Sequence, residues 1–317
     1  MKIINPDVEI INQDYTLDGI YKHIEKAGRT CYQSQDKITN DSAKGFVDRM
    51  VKSGHGAMLE HGTVYLYFPW VSMGGEESKY TRNKYSKSVF YSNHSYDENG
   101  NGRIIPIEYG KAGHYITTNL RVLVENNWLD DLKYLCEPTE YHVKRVTVKF
   151  TTGIDITREF NRHRVNSMAE SSTRYCNYSK DKFGNEISIV SNTDISLNEA
   201  NDAYQDWIGG FPSMCAAIGA GELDDFGIID TWLFANMACE WSYMRLIELG
   251  WKPQQARRVL PLDTKSELIH TAFTSDWEHF FSLRSDKHGA TGVHPDAAYL
   301  ANKLRQLFIE KEIEFLK

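Results

Sequence analysis

The sequence predicts a mixed α/β fold, a single domain carrying one elaborated insertion at about residues 70–142. Three observations predict it. The run "VTVKFTTGIDI" alternates as a half-buried β-strand does, while "DTWLFANMACEWSYMRLIELG" and several other segments carry apolar residues at helical spacing. No internal repeat, low-complexity tract or composition break divides the chain. Its 317 residues make about two domain-lengths at roughly 150 residues each, a size that one large domain also reaches.

Taken in order, "KIINPDVEIIN" reads as strand, and Leu17, Ile20, Tyr21 and Ile24 place an amphipathic helix after it. Asp41 or Ser42 can cap a second helix that Gly54 stops, and "TVYLYF" is a strand, so His55, Glu60 and His61 sit at a helix-to-strand passage. From about Gly74 to Gly102 the chain turns polar and tyrosine-rich, as a long loop does. Helical spacing is expected again from about Ala112 to Arg145. The strand "VTVKFTTGIDI" then leads into a helix through "TREFNRHR", and Ser167 to Glu170 has capping-box spacing. "EISIV" is a strand candidate, and Gly250 ends the long helix before a short one starting at Pro253. "KSELIHTAF" is ambiguous, whereas "DWEHFFSLRSD" and "PDAAYLANKLRQLFIEKEIEFL" have helical period.

Composition narrows the function. Hydrophobic residues at 41% and charged residues at 25% describe a globular chain with material for a core. A net charge of −7 opposes broad nucleic-acid or anionic-membrane binding but permits a local basic pocket. The start lacks a signal-peptide pattern and no window approaches the roughly eighteen apolar residues of a membrane span, so a cytoplasmic protein is expected. Five dispersed cysteines form no CxxC pair, which leaves reduced thiols as the default.

The acidic chain nevertheless concentrates Arg162, His163, Arg164 and Arg174 within "RHRVNSMAESSTRYCNY", a segment without lysine. Arginine suits bidentate binding of phosphate oxygens, and Ser172 adds a hydroxyl donor nearby. A solvated helix end favouring the helix dipole is the plainer account of the same residues.

These residues resemble the signature of the flavin-dependent thymidylate synthases: an Arg-His-Arg triplet followed after seven residues by Ser172, then Arg174-Tyr175. "SGHGAMLEH" is similar to the family's His-x4-Glu-His element, "ARRVLP" to its Ala-Arg-x-x-Leu-Pro element and "FFSLRSDKH" to its Leu-Arg-x-x-x-His element, in the same order. The resemblance implies reductive methylation of dUMP to dTMP, with methylenetetrahydrofolate giving the carbon and FAD, reduced by NADPH, carrying the hydride. It also implies a homotetramer with active sites between subunits. By motif position, Glu159, Arg162, Glu170, Ser172, Arg174, Arg257 and Arg284 would bind dUMP, with Arg257 coming from a neighbouring subunit. Arg284 would be the activating residue, its permanent charge set against anion at N3 of the uracil ring. His55, Arg162, His163, Arg164, Glu170, His279 and His288 would contact FAD. Ala57, Glu159, Ala169, Phe273 and His279 depart from the residues common at those places, and the stretch from about 70 to 142 exceeds what compact members carry.

Two other readings compete. Cys176 beside Tyr175 invites a thiolate mechanism, which needs a lowered thiol pKa. His55, Glu60, His61, His288 and His294 offer ligands for a zinc hydrolase, although their spacing is not HExxH. A nucleotide-binding protein without catalysis would use the same arginines.

Overall fold

The structure, a computed structural model, describes residues 1–69, 77–92, 94–96, 102–104, 111–207, 209–221 and 226–313. Pro6 interrupts the opening run, because proline has no N–H to give a strand ladder. The run forms two strands, β1 (Lys2–Ile4) and β2 (Asp7–Ile11), in different sheets. Helix α1 (Leu17–Cys31) follows, with Thr16 Oγ1 accepting from the Gly19 N–H at 3.1 Å and with Ile20 and Ile24 buried. Thr16→Ala is expected to cost about 1 kcal/mol, read as a lower urea midpoint at unchanged slope. Helix α2 (Ser42–Ser53) ends at Gly54, whose φ of 70° is the left-handed conformation glycine tolerates. Asp41 holds the N-cap position without a side-chain bond to the helix. The short helix α3 (Gly56–Leu59) and strand β3 (Thr63–Pro69) complete the passage.

The stretch expected to be an insertion, about 70–142, is more regular than a loop. Its described residues form α4 (Ser78–Thr81), β4 (Lys87–Tyr91), β5 (His94–Tyr96), β6 (Gly102–Ile104), β7 (Gly113–Asn119) and α5 (Leu120–Glu125). Residues 93, 97–101 and part of the expected loop's start lie outside the described residues. The helix expected from Ala112 begins instead as strand β7, because Tyr115, Ile116, Thr117 and Thr118 favour extended backbone and pair with β3, Val64 opposite Thr118. Strands β3, β7 and β4 make an antiparallel sheet over a core of Ile20, Ile24, Phe46, Leu66 and Ile116.

Strand β8 (Arg145–Gly153) runs directly into α6 (Ile154–Phe160), so the basic triplet lies just beyond the helix, in the turn that follows it. Ser167 to Glu170 is strand β9 (Ser167–Glu170) and caps no helix: Ser167 accepts from Arg145, and Glu170 accepts from three side chains of the fold. There follow β10 (Ser188–Val190), α7 (Leu197–Asp206), α8 (Phe211–Gly219), α9 (Ile228–Glu248) and α10 (Pro253–Ala256). The ambiguous "KSELIHTAF" is strand β11 (Lys265–Phe273), then come α11 (Thr274–Arg284) and α12 (Pro295–Glu310). No helix among the described residues is long and apolar enough to cross a membrane.

The central sheet is antiparallel in the order β2-β8-β11-β9. One face packs Val148, Phe150, Leu268 and Ala272 against Phe160, Trp277, Phe280, Phe308 and their neighbours on α6, α11 and α12. The other face packs Ile11, Ala169 and Ile269 against Ala27 of α1. Gly153 pairs with Lys265 and Arg145 with Phe273, so α6 and α11 start from opposite ends of adjacent strands. They return over the same face, and their last turns meet.

Candidate active site

That meeting point builds the densest of the expected clusters. Arg284, the last residue of α11, donates from Nη1 to Glu159 Oε2 at 2.7 Å, from Nη2 to the Glu159 carbonyl at 2.8 Å and from Nε to His163 Nε2 at 3.2 Å. The carbonyl belongs to the last turn of α6, where backbone acceptors lack helical partners, so the guanidinium caps that helix. Arg162 Nη1 reaches Glu159 Oε1 at 3.5 Å from an exposed position. His163 is buried against Phe280, ring centroids 4.8 Å apart, with His279 at 6.2 Å. Burial, then the charges of Arg284 and His279, lowers its pKa to about 4. It is therefore neutral near pH 7, and because Nε2 accepts from Arg284, its proton is on Nδ1.

Glu170 forms a second group beside the first. Its carboxylate accepts from Thr157 Oγ1 at 2.8 Å, Asn161 Nδ2 at 2.8 Å and Ser266 Oγ at 3.0 Å. Composition alone does not single out Thr157, Asn161 and Ser266, although Asn161 immediately precedes the basic triplet. The adjacent Ala169 points to the opposite face of the sheet, buried with Ile269, and makes no polar contact there.

A turn after β9 carries the third group. Ser172 N–H donates to the Cys31 carbonyl at 2.8 Å, and the Ser172 carbonyl accepts from Tyr175 and Cys176. Arg174 lies over the Tyr175 ring at 5.4 Å. Arg257 Nη1 donates to Thr173 Oγ1 at 3.3 Å, so Arg257 borders this turn within its own chain while remaining exposed. A cleft of about 590 Å³ is lined by Ser171 and Cys176 of this turn together with Lys2, Lys182 and Lys265.

The remaining expected residues stand apart. His55 is exposed before α3, and His288 Nε2 meets Glu278 Oε1 at 2.9 Å. Phe273 is buried, with Arg145 over its ring at 5.5 Å.

The cation set suits a ligand with several phosphates. Among the described residues Arg164 and Arg174 have no acidic partner, and the one near Arg162 also holds Arg284. Guanidiniums left with free donors at a surface match phosphate oxygens in charge and planar geometry. The zinc reading finds no such convergence: Glu60 pairs with Arg121, and His61 is fully buried against Thr271. Among the described residues, the group of three whose ligand atoms lie within 4.8 Å is Asp155, His294 and Asp296, which takes in His294 of the expected zinc ligands but none of His55, Glu60, His61 or His288. Cys176 is buried and its thiol is pushed up to about 11, chiefly by that burial, which leaves negligible thiolate at neutral pH.

A family model described as thymidylate synthase complementing protein matches residues 133–310. No curated protein matches the chain. Among solved structures, a UMP/dUMP methylase PolB from Streptomyces cacaoi bound with 5-Br dUMP is 16% identical, covering 98% of this chain and 93% of that one, with a TM-score of 0.41. The same methylase bound with 5-Br UMP is 15% identical, covering 98% and 91%, with a TM-score of 0.40. Superposition at that level is too loose to transfer a site.

Proposed function

This chain belongs to the thymidylate synthase complementing protein family, and from that premise we propose that it converts dUMP to dTMP by flavin-dependent reductive methylation. The observation that carries the reading is the junction of Arg284 with Glu159 and His163, residues more than a hundred positions away that join two of the family-like motifs at one point. Bound FAD, reduced by NADPH, supplies the hydride, and methylenetetrahydrofolate supplies the carbon.

The chain's own residues bind, orient and balance charge. Arg162, His163 and Arg164 lie in one turn, where the two arginines would take the flavin diphosphate and neutral His163 packs beneath. Ser172 and Arg174 would donate to the dUMP phosphate, and Arg257, beside the same turn at Thr173, would contribute a further guanidinium. The exposure of Arg162, Arg164, Arg174 and Arg257 in the single chain accords with sites completed between subunits. Glu170, fixed by three donors, presents a set carboxylate between the flavin and nucleotide groups. His55, His279 and His288 would lie toward the flavin. Arg284 would face the uracil with its guanidinium as negative charge develops at N3.

The test is optical. The purified protein is expected to be yellow, with a flavin spectrum that NADPH bleaches under anaerobic conditions. A colourless protein that takes up no added FAD overturns the reading.

A further inference from the structure

Glu159 is a dUMP contact by motif position, yet its carboxylate and its carbonyl both face Arg284. We propose that Glu159 is a positioning residue: it fixes the Arg284 guanidinium for the uracil and does not itself hold the nucleotide. The inference rests on the reading that Arg284 meets the base. A guanidinium has five N–H donors, and three are already engaged, one at Nε, one at Nη1 and one at Nη2. One N–H remains on each Nη, and the plane that carries them is set before any ligand arrives. Three anchors at three different nitrogens leave the group no rotation about its terminal bonds. An unanchored arginine would carry about 2 kcal/mol of rotamer freedom, part of which binding would have to remove.

The three acceptors differ in kind. The carbonyl of Glu159 is backbone and survives any substitution, and neutral His163 accepts at Nε. Only the carboxylate brings an opposite charge to the guanidinium, and it alone holds Nη1. It also draws on Arg162, so a single carboxylate sets the spacing between the expected flavin-side and base-side arginines. A glutamine would keep an acceptor at the same reach without the charge. Alanine would leave Nη1 unheld.

A double-mutant cycle tests this, with the dissociation constant of dUMP measured by calorimetry on FAD-loaded protein and thermal melting as a check of folding. Glu159→Ala is expected to weaken dUMP binding roughly tenfold or more, the scale of a lost hydrogen bond to a charged group, and Glu159→Gln about threefold or less. In the Arg284→Ala background, Glu159→Ala is expected to change nothing further. An equal loss in both backgrounds would show that Glu159 touches the nucleotide directly and overturn the proposal, as would unchanged binding in Glu159→Ala. Lysine at 284, which cannot make all three bonds, gives a second arm: Glu159→Ala should cost less there than in the wild type, and an undiminished cost also overturns it. Failure of the wild type to bind dUMP at all is a different result, and it removes the functional reading itself.

Discussion

Replacing Arg284 by alanine is expected to lower tritium release from 5-labelled dUMP by about 10²–10³-fold, the usual effect of removing a fixed donor aimed at developing negative charge. The magnitude follows from where the residue sits. Its side chain is 14% exposed, so its charge acts through little water. Flavin absorbance should survive, because the expected FAD contacts of the Arg162–Arg164 turn do not depend on Arg284 for their backbone course: His163 and Asn166 are held by turn bonds to Phe160 and His163. Loss of the cap on α6 will cost some stability, and melting the variant separates that from the chemical effect. Arg284→Lys should fall between the two, since an ammonium keeps the charge and loses the fork. Undiminished release in Arg284→Ala would move the activating role elsewhere.

How much of this was legible in the sequence depends on how local each feature is. The strand-to-helix unit of β8 and α6 was, because alternation gives way to helical spacing at Gly153 within one short window. Strand β11 was ambiguous for a physical reason: eight of its nine residues are buried, since it lies inside the central sheet with both faces covered, and alternation disappears when neither face meets water. Strand β7 was lost the same way: it is the central strand between β3 and β4, and its Thr117, Thr118 and Asn119 are all buried. Serine and glutamate at capping-box spacing misled at Ser167 and Glu170 because both side chains serve tertiary partners, Arg145 for one and Thr157, Asn161 and Ser266 for the other. The chemistry-bearing residues could be picked out one by one as arginines and histidines of a motif. Their coupling could not: nothing local marks Glu159 as the partner of a residue 125 positions later.

Acid should unfold this protein early, and buried histidines set where, His23, His61 and His270 foremost. His23 bonds Thr147 Oγ1 at 2.9 Å, Thr147 bonds Thr271 Oγ1 at 2.8 Å, and Thr271 bonds His61 Nδ1 at 2.8 Å, a polar chain beneath α1. His270 lies on the other face of β11 against Asn166. Among the described residues Nε2 of His61 and Nε2 of His270 lack a partner at hydrogen-bond geometry, so a proton there would be buried and poorly compensated. Burial first, then the cationic charge of neighbours such as Arg145 or His163, lowers the pKa of His23 to about 4 and those of His61 and His270 to about 3. The unfolded chain takes up these protons near the ordinary histidine pKa of about 6.5, whereas the folded chain resists until about 4 to 3. Between those limits the unfolded state binds more protons, so stability falls as pH falls, by up to about 4 kcal/mol per pH unit for these three groups, and His142 and His163, also lowered to about 4, add to that slope. Against a typical total of about 5–15 kcal/mol, urea unfolding followed from pH 7.5 to 5.0 should show little change above pH 7 and a steep loss below about 6.5. His61→Gln should reduce the slope by about one proton, whatever it does to absolute stability. A flat profile down to pH 5 would mean that these rings are solvated or paired in the folded protein, contrary to their burial.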